Sequence, residues 1–400
     1  MIPAAGSPQV LALRDLDEVR SALSGIRVSP GGIDIMDRKA VFRVVRITGI
    51  DVRAANILKQ EMLSRGGEVA TSREVYELGS AKADCLVMGT LAQFERLLPK
   101  LRAQPFGLRG LADSLQAALT NYDRPAPMAP AGIDLREPPI LMGVLNLTPD
   151  SFSDGGLHED PDEAVKAGLD MAQEGAALVD VGGESTRPGA ASVPAAEELR
   201  RVLPVVRALA AELPGRISVD TYKAAVAAEV LESGVSVIND VSALRMDPEM
   251  IAVVRDARCA VVLMHMKGEP RTMQERPKYD DVVAEVYAFF LERLNWAVDQ
   301  GLKEENLLID PGIGFGKTMS HNLELLRHLS TFRSLGRPIV VGTSRKRFLG
   351  EILGVDDALD RDAATAATSV IAACQGAHVL RVHQVGINRD AVKVARAVFP

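Results

Sequence analysis

From Ile140 to the C-terminus, short apolar runs rich in β-branched residues alternate with longer stretches whose apolar positions recur every three or four residues. The short runs cover residues 140–147, 177–181, 216–219, 236–238, 260–264, 306–309, 338–341 and 379–382. Runs of this kind read as strands, and the periodic stretches between them as amphipathic helices. Eight strands, each followed by a helix, predict an α/β fold closed into a (β/α)₈, or TIM, barrel. An open doubly wound sheet is the other architecture that this alternation allows. Eight even units favour closure, and no Gly-x-Gly-x-x-Gly follows the first strand, which weakens a dinucleotide reading.

The first third is patterned differently and reads as a small α/β unit over residues 1–120. Strands are expected over 41–48 and 83–88. Asp51 can cap a helix running through Ala54, Ile57, Leu58 and Met62 to a Gly66-Gly67 stop. Helical patterns follow over 91–101 and 108–119, whereas residues 1–36 are weakly patterned and are expected to be partly loose. Between this unit and the barrel of residues 140–400, the segment 121–139 holds Pro125, Pro127, Pro130, Pro138 and Pro139 and reads as an extended linker.

Composition narrows the function. The chain has 400 residues, is 47% hydrophobic and 25% charged, and carries a net charge of −7, which is globular rather than disordered. An acidic balance argues against nucleic acid and against a polybasic membrane role. No apolar run is long enough to cross a bilayer, and residues 1–20 lack a basic leader with an apolar core. Cys85, Cys259 and Cys374 are scattered and form no Cys-x-x-Cys pair, so neither a disulfide framework nor a thiolate zinc site is indicated. A cytoplasmic protein is expected.

In a barrel of this type, chemistry gathers at the C-terminal ends of the strands. Those ends carry Asn146, Asp180, Asp220, Asn239, His265, Asp310, Ser344-Arg345-Lys346, and Arg381 with His383. Any one of them is explained by the wetness of strand ends. Three aspartates with Lys, Arg and His converging on one mouth is costly without a ligand.

The residues around these ends carry a family resemblance. Met142-Gly-Val-Leu-Asn146-Leu-Thr-Pro-Asp-Ser-Phe-Ser-Asp-Gly-Gly156 and Asp180-Val-Gly-Gly-Glu-Ser-Thr186-Arg187-Pro-Gly189 resemble the first two signatures of the dihydropteroate synthases. Ser218-Val-Asp220-Thr, Ile238-Asn239-Asp-Val, Leu263-Met-His-Met266, Asp310-Pro-Gly-Ile-Gly-Phe-Gly-Lys317, Gly342-Thr-Ser-Arg-Lys346 and Arg381-Val-His383 continue it in order. The resemblance spans Ile140 to the C-terminus, and the first third lies outside it, as an extension of unassigned role.

This resemblance implies a transferase of folate biosynthesis, and a sulfonamide target. It would condense 7,8-dihydropterin-6-ylmethyl diphosphate with p-aminobenzoate, releasing diphosphate and forming 7,8-dihydropteroate. It implies pterin contacts at Asp180, Asp220, Asn239, Asp310, Phe315, Gly342 and Lys346, and diphosphate contacts at Arg381, His383 and Asn146. A pterin presents a fixed donor/acceptor edge, which carboxylates, an amide and an ammonium can match. Arg381 and His383 lie two apart on one strand and so face one side. Asn146 would be the magnesium position, and Mg²⁺ keeps several waters and needs few protein ligands. No side-chain nucleophile is required.

The loops over 149–160 and 184–193 are rich in Gly, Ser and Pro and read as lids of the p-aminobenzoate site, with Phe152, Thr186 and Arg187 as contacts. The competing reading is that they are only long surface connections. His265, between Met264 and Met266, is expected to be a packed core histidine. Asp310 also has a competing reading, as the turn former of a Gly-rich loop. The pattern is departed from at Gln384, where Asp is usual. Two alternatives compete with the synthase: a pterin-binding methyltetrahydrofolate–corrinoid methyltransferase, which would not need the Asn146 signature, and a non-catalytic pterin-binding scaffold. Barrels of this sort pair through helices far from the mouth, so a homodimer is one assembly the resemblance allows.

Overall fold

The computed structural model describes residues 8–73, 75, 82–123, 125, 128–148, 160–185, 192–268 and 272–399. The chain divides into two compact units, Met1–Pro125 and Ala126–Pro400.

The first unit opens with α1 (Leu16–Gly25) and α2 (Pro30–Ala40), where the weak patterning suggested loose chain. Both helices are capped: Asp15 accepts from Glu18 N, Ser29 accepts from Gly32 N, and Pro30 opens α2. Only Leu16 and Val19 on α1 and Ile33 on α2 bury apolar side chains, so the periodicity is too sparse to reveal them. The Ser29-Pro30 start is the signal that could have done so. There follow β1 (Phe42–Asp51), α3 (Val52–Leu63), β2 (Glu68–Thr71), β3 (Lys82–Thr90), α4 (Leu91–Arg102) and α5 (Leu108–Asp123). Asp51 caps α3 by accepting from Arg53 N. The strands form an antiparallel sheet in the order β1-β3-β2. Its core joins Leu58, Met62, Phe94, Leu97 and Leu101.

The second unit holds a parallel eight-stranded sheet. In chain order its elements are β4 (Ile140–Asn146), α6 (Pro161–Glu174), β5 (Leu178–Gly182), α7 (Ala195–Glu212), β6 (Ile217–Asp220), α8 (Ala224–Glu232), β7 (Val237–Asp240), α9 (Met250–Ala257), β8 (Ala260–Met264), α10 (Val282–Asp299), β9 (Leu307–Asp310), α11 (Met319–Arg327), β10 (Val340–Val341), α12 (Arg347–Leu353), α13 (Asp362–Cys374), β11 (Val379–Val382) and α14 (Val385–Val398). The strand order is β10-β11-β4-β5-β6-β7-β8-β9, and a parallel bridge between Ile309 and Ile339 closes the ring. The barrel expectation is met.

Part of the proline-rich segment belongs to the barrel rather than to a linker. Ile133 and Leu135 are buried with Met142, Leu178, Val237, Leu308, Val340 and Val379, and so plug the N-terminal end of the ring. Leu135 N donates to Met128 O at 3.2 Å, and Arg396 of α14 donates to Pro139 O at 2.8 Å. Proline content hides this floor, because only two apolar residues at strand spacing announce it. Among the described residues no helix is long and apolar enough to cross a membrane.

Candidate active site

Side chains on a strand alternate between its faces. Leu141 and Leu145 of β4, Val179 and Val181 of β5, Ile217 and Val219 of β6, and Leu380 and Val382 of β11 pack outward in the core beneath the helices. The intervening positions face the barrel lumen. At the N-terminal level they are apolar: Met142, Leu178, Val237, Leu308, Val340 and Val379. At the C-terminal level the same faces carry Asn146, Gly182, Asp220, Asn239, Asp310, Gly342 and Arg381. One alternation therefore builds both a dry floor and a polar mouth.

Arg381 is the hub of that mouth. Its Nε donates to Asp180 Oδ2 at 2.6 Å and its Nη2 to Asp220 Oδ2 at 2.9 Å. Asn239 Nδ2 donates to Asp180 Oδ2 at 3.0 Å, and Ser218 Oγ to Asp180 Oδ1 at 2.5 Å. Gly342 lies beneath the arginine: a Cβ there would sit 3.7 Å from the Arg381 Cβ. Gly182 separates Asn146 from Asp220, with room for a Cβ 3.5 Å from Asn146 Oδ1 and 3.7 Å from the Asp220 Cβ.

Asp310 and Lys346 face this group. Asp310 is buried, and its Oδ1 accepts from Gly312 N at 2.7 Å, so the turn-former reading is correct without exhausting the carboxylate. Burial pushes the Asp310 carboxyl up, against the pull of the Gly312 N–H, Lys346 and Arg381. Lys346 Nζ donates to Ile313 O and lies 4.2 Å from the centroid of the Phe315 ring. Burial pushes the Lys346 ammonium down to about 8, with Asp310 opposing. Burial pushes Asp220 up to about 7, with Arg381 opposing and Asp180 adding to the rise. Lys346 is presented by a strained corner: Arg345 has φ of 56°, and Asp362 holds its guanidinium at 2.7 and 2.9 Å.

The structure thus brings together Asn146, Asp180, Asp220, Asn239, Asp310, Phe315, Gly342, Lys346 and Arg381. One placement differs from expectation. Asp180 is wholly buried and its two oxygens are taken by Ser218, Asn239 and Arg381, so it orients those side chains instead of meeting a pterin itself. His383 Nδ1 lies 2.8 Å from Ser344 Oγ, which also accepts from His383 N at 3.1 Å. Phe152, Thr186 and Arg187 lie outside the described residues. His265 is a buried, partnered histidine, with Nδ1 2.9 Å from Lys317 Nζ and an edge contact to Phe289. Burial, then nearby Lys317, push it down to about 2. Ser344 and Lys317 went unassigned in sequence, because their partners lie 39 and 52 positions away.

Gln384 is exposed and stands at the N-cap of α14 with no side-chain capping bond. Gln384→Asp should raise stability by no more than about 1 kcal/mol, the size of a cap effect. It should change turnover less than about tenfold, which is ~1.4 kcal/mol of barrier. Urea denaturation and steady-state kinetics check both; a larger gain in turnover would mean that the side chain reaches the mouth.

The pterin binding enzyme family profile matches residues 142–383. The chain is 48% identical over 267 residues to the dihydropteroate synthase of Escherichia coli K12, covering 67% of this chain and 94% of that protein. It is 42% identical over 382 residues to a probable bifunctional folylpolyglutamate synthase/dihydropteroate synthase of Halobacterium salinarum. That match covers 96% of this chain, extension included, but the chain spans only 46% of that relative's length. The solved dihydropteroate synthase of Xanthomonas albilineans in complex with 7,8-dihydropteroate superposes with a TM-score of 0.60 at 44% identity, over 68% of this chain and 99% of that one.

Proposed function

This chain belongs to the pterin-binding enzymes, among the dihydropteroate synthases, a family of transferases; we propose that its barrel condenses 7,8-dihydropterin-6-ylmethyl diphosphate with p-aminobenzoate to give 7,8-dihydropteroate and diphosphate. The observation that carries this reading is the ring of Asp220, Asn239, Asp310, Lys346 and Arg381 converging at one end of a dry barrel.

In this reading Asp310 accepts from the pterin amine and ring N–H, Asp220 and Asn239 meet the opposite edge, and Lys346 donates to the carbonyl. Arg381 uses Nε and Nη2 on Asp180 and Asp220, which leaves Nη1 to meet a diphosphate oxygen. His383, set by Ser344, serves the same group. The reaction exchanges a carbon–oxygen bond for a carbon–nitrogen bond. The electron-rich dihydropterin ring can delocalise positive charge on that carbon as diphosphate leaves. The protein's work is then to orient the aniline nitrogen, exclude water and stabilise the departing anion.

Magnesium is the proposed cofactor. Asn146 offers one neutral oxygen beside Gly182, where the absent side chain leaves space. Among the described residues no group of three or more His, Cys, Asp or Glu could hold a metal. A single amide fits Mg²⁺, which takes its remaining ligands from water and substrate phosphate. When bound, it would neutralise charge on the diphosphate. Thr186, Arg187 and Phe152 are proposed for p-aminobenzoate. A cytoplasmic homodimer is also proposed, supported by exposed Ile352, Leu353 and Ile371 on α12 and α13.

Incubation with both substrates and Mg²⁺ should yield dihydropteroate with matching diphosphate release, and sulfonamides should compete with p-aminobenzoate. Folded protein that makes no dihydropteroate under these conditions would overturn the reading.

The charges set a pH window for pterin affinity. Asp220 accepts as a carboxylate above about 7, and Lys346 donates as an ammonium below about 8. Affinity should peak between these values and fall on both sides, by up to roughly tenfold per pH unit for one coupled proton. Calorimetry across pH, with Asp220→Asn removing the acid limb, tests this; a flat profile would exclude it.

A further inference from the structure

A second buried charged cluster lies just beyond the ends of β5 and β6, and the reaction as derived makes no use of it. Lys223, just after β6, donates from Nζ to both Glu184, two residues past β5, and Glu198, in the first turn of α7. Glu198 is only 1% exposed, and its Oε1 is buried with no hydrogen-bond partner among the described residues. Lys223 stands at the N-cap position of α8, yet its side chain makes no cap and reaches sideways instead. Burying such an ion group carries a desolvation cost that only good geometry and further hydrogen bonds repay.

What it fixes can be read from its neighbours. The Tyr222 hydroxyl donates to Glu184 Oε1 at 3.0 Å and lies 3.2 Å from Ser192 Oγ. Glu184 and Ser192 stand on either side of the segment that carries Thr186 and Arg187 in sequence. From the other direction, Arg201 of α7 donates to Gly183 O at 3.0 Å. Gly183 is pressed on α7 so closely that a Cβ would lie 2.6 Å from Val202 Cγ1 and 3.3 Å from Glu198 O. The backbone at 183–184 is therefore clamped between α7 and the β6–α8 turn. One hydroxyl ties both feet of the second post-strand loop together.

We propose that Lys223 and Tyr222 are positioning residues for the aryl-amine substrate: through Glu184, Glu198 and Ser192 they set the feet of this loop, and so govern p-aminobenzoate affinity while leaving pterin affinity to the barrel ring. This rests on the synthase reading, which places the amine-binding residues Thr186 and Arg187 directly after Glu184-Ser185. Cutting the clamp changes where that segment starts without touching Asp310, Lys346 or Arg381. The two affinities should separate.

The test uses the full chain with Tyr222→Phe, Lys223→Met and Lys223→Arg. Pterin binding is measured by calorimetry without turnover, and KM for p-aminobenzoate by steady-state kinetics. Tyr222→Phe keeps the ion cluster and removes only the hydroxyl ties, so it guards against loss of fold in Lys223→Met. Pairing Lys223→Met with Glu198→Gln removes the stranded charge if that variant is unstable. The expected result is a rise in KM for p-aminobenzoate of roughly tenfold for Lys223→Met and severalfold for Tyr222→Phe, with pterin Kd within about twofold of wild type and most of the loss recovered in Lys223→Arg. Equal losses for pterin and p-aminobenzoate, an unchanged KM, or a fall in kcat alone would overturn the proposal in an active wild type. A wild type with no turnover would overturn the synthase reading, and this inference with it.

Discussion

Asp310→Asn should weaken pterin binding by about 2–4 kcal/mol while leaving the fold intact, because a charge-assisted acceptor is replaced by a mismatched amide. The geometry explains why the two effects separate. The Asp310 Oδ1 accepts from Gly312 N at 2.7 Å, and an asparagine oxygen can keep that bond. Its NH₂ group is then turned toward the side on which a pterin offers N–H donors. Donor would face donor in a buried pocket, the costly case for an unsatisfied polar group. Stability should not fall with it, since burial already disfavours the charged form of this carboxyl. Calorimetry with a pterin lacking diphosphate measures the first effect, and thermal denaturation the second. Near wild-type affinity would remove Asp310 from the pterin edge.

The barrel and its polar mouth were legible in sequence for one reason. In β4, β6, β7, β9 and β11 a short apolar run ends on a polar inward position, so residue identity and strand face point to the same level of the ring. Asp220, Asn239, Asp310 and Arg381 all follow this rule. The Ser344–Lys346 corner after β10 was visible only as a motif, because that strand has just two residues, Val340 and Val341.

What stayed hidden depends on long-range pairing. Nothing near Asp180 in sequence says that Ser218, Asn239 and Arg381 will use up its oxygens. Lys223, Glu184 and Glu198 look like ordinary solvated charges on a turn, a loop and a helix face, and become a cluster only when α7 packs beside β6. In the first unit the obstacle is different. The α1 and α2 helices bury too little to show a stripe, and β2 is four residues long, so tertiary packing rather than local pattern defines them.

Arg381→Met should cost about 3–5 kcal/mol of stability at pH 8, the usual result of removing one partner from a buried ion group. The arginine stands between Asp180, fully buried, and Asp220, 9% exposed, and both carboxylates point at it. Methionine fills much of the volume but leaves two like charges facing each other in a dry mouth. That loss should depend on pH, with a sign that follows from Asp220. Its folded-state pKa already lies above the ordinary carboxylate value, and Arg381 is the neighbour that holds it down. Without the arginine it rises further, so the folded protein binds a proton more tightly than the unfolded chain does. Stability from such a group is present at low pH and is lost as pH rises through the folded pKa. The variant should therefore approach wild-type stability near pH 5 and diverge from it above about pH 7. Turnover should fall by far more than the stability change accounts for, because the same guanidinium is the group proposed to meet the leaving diphosphate. Urea denaturation of both proteins at several pH values decides the matter. A stability difference that does not change with pH would show that Asp220 does not titrate against Arg381, and the hub assigned to this arginine would have to be withdrawn.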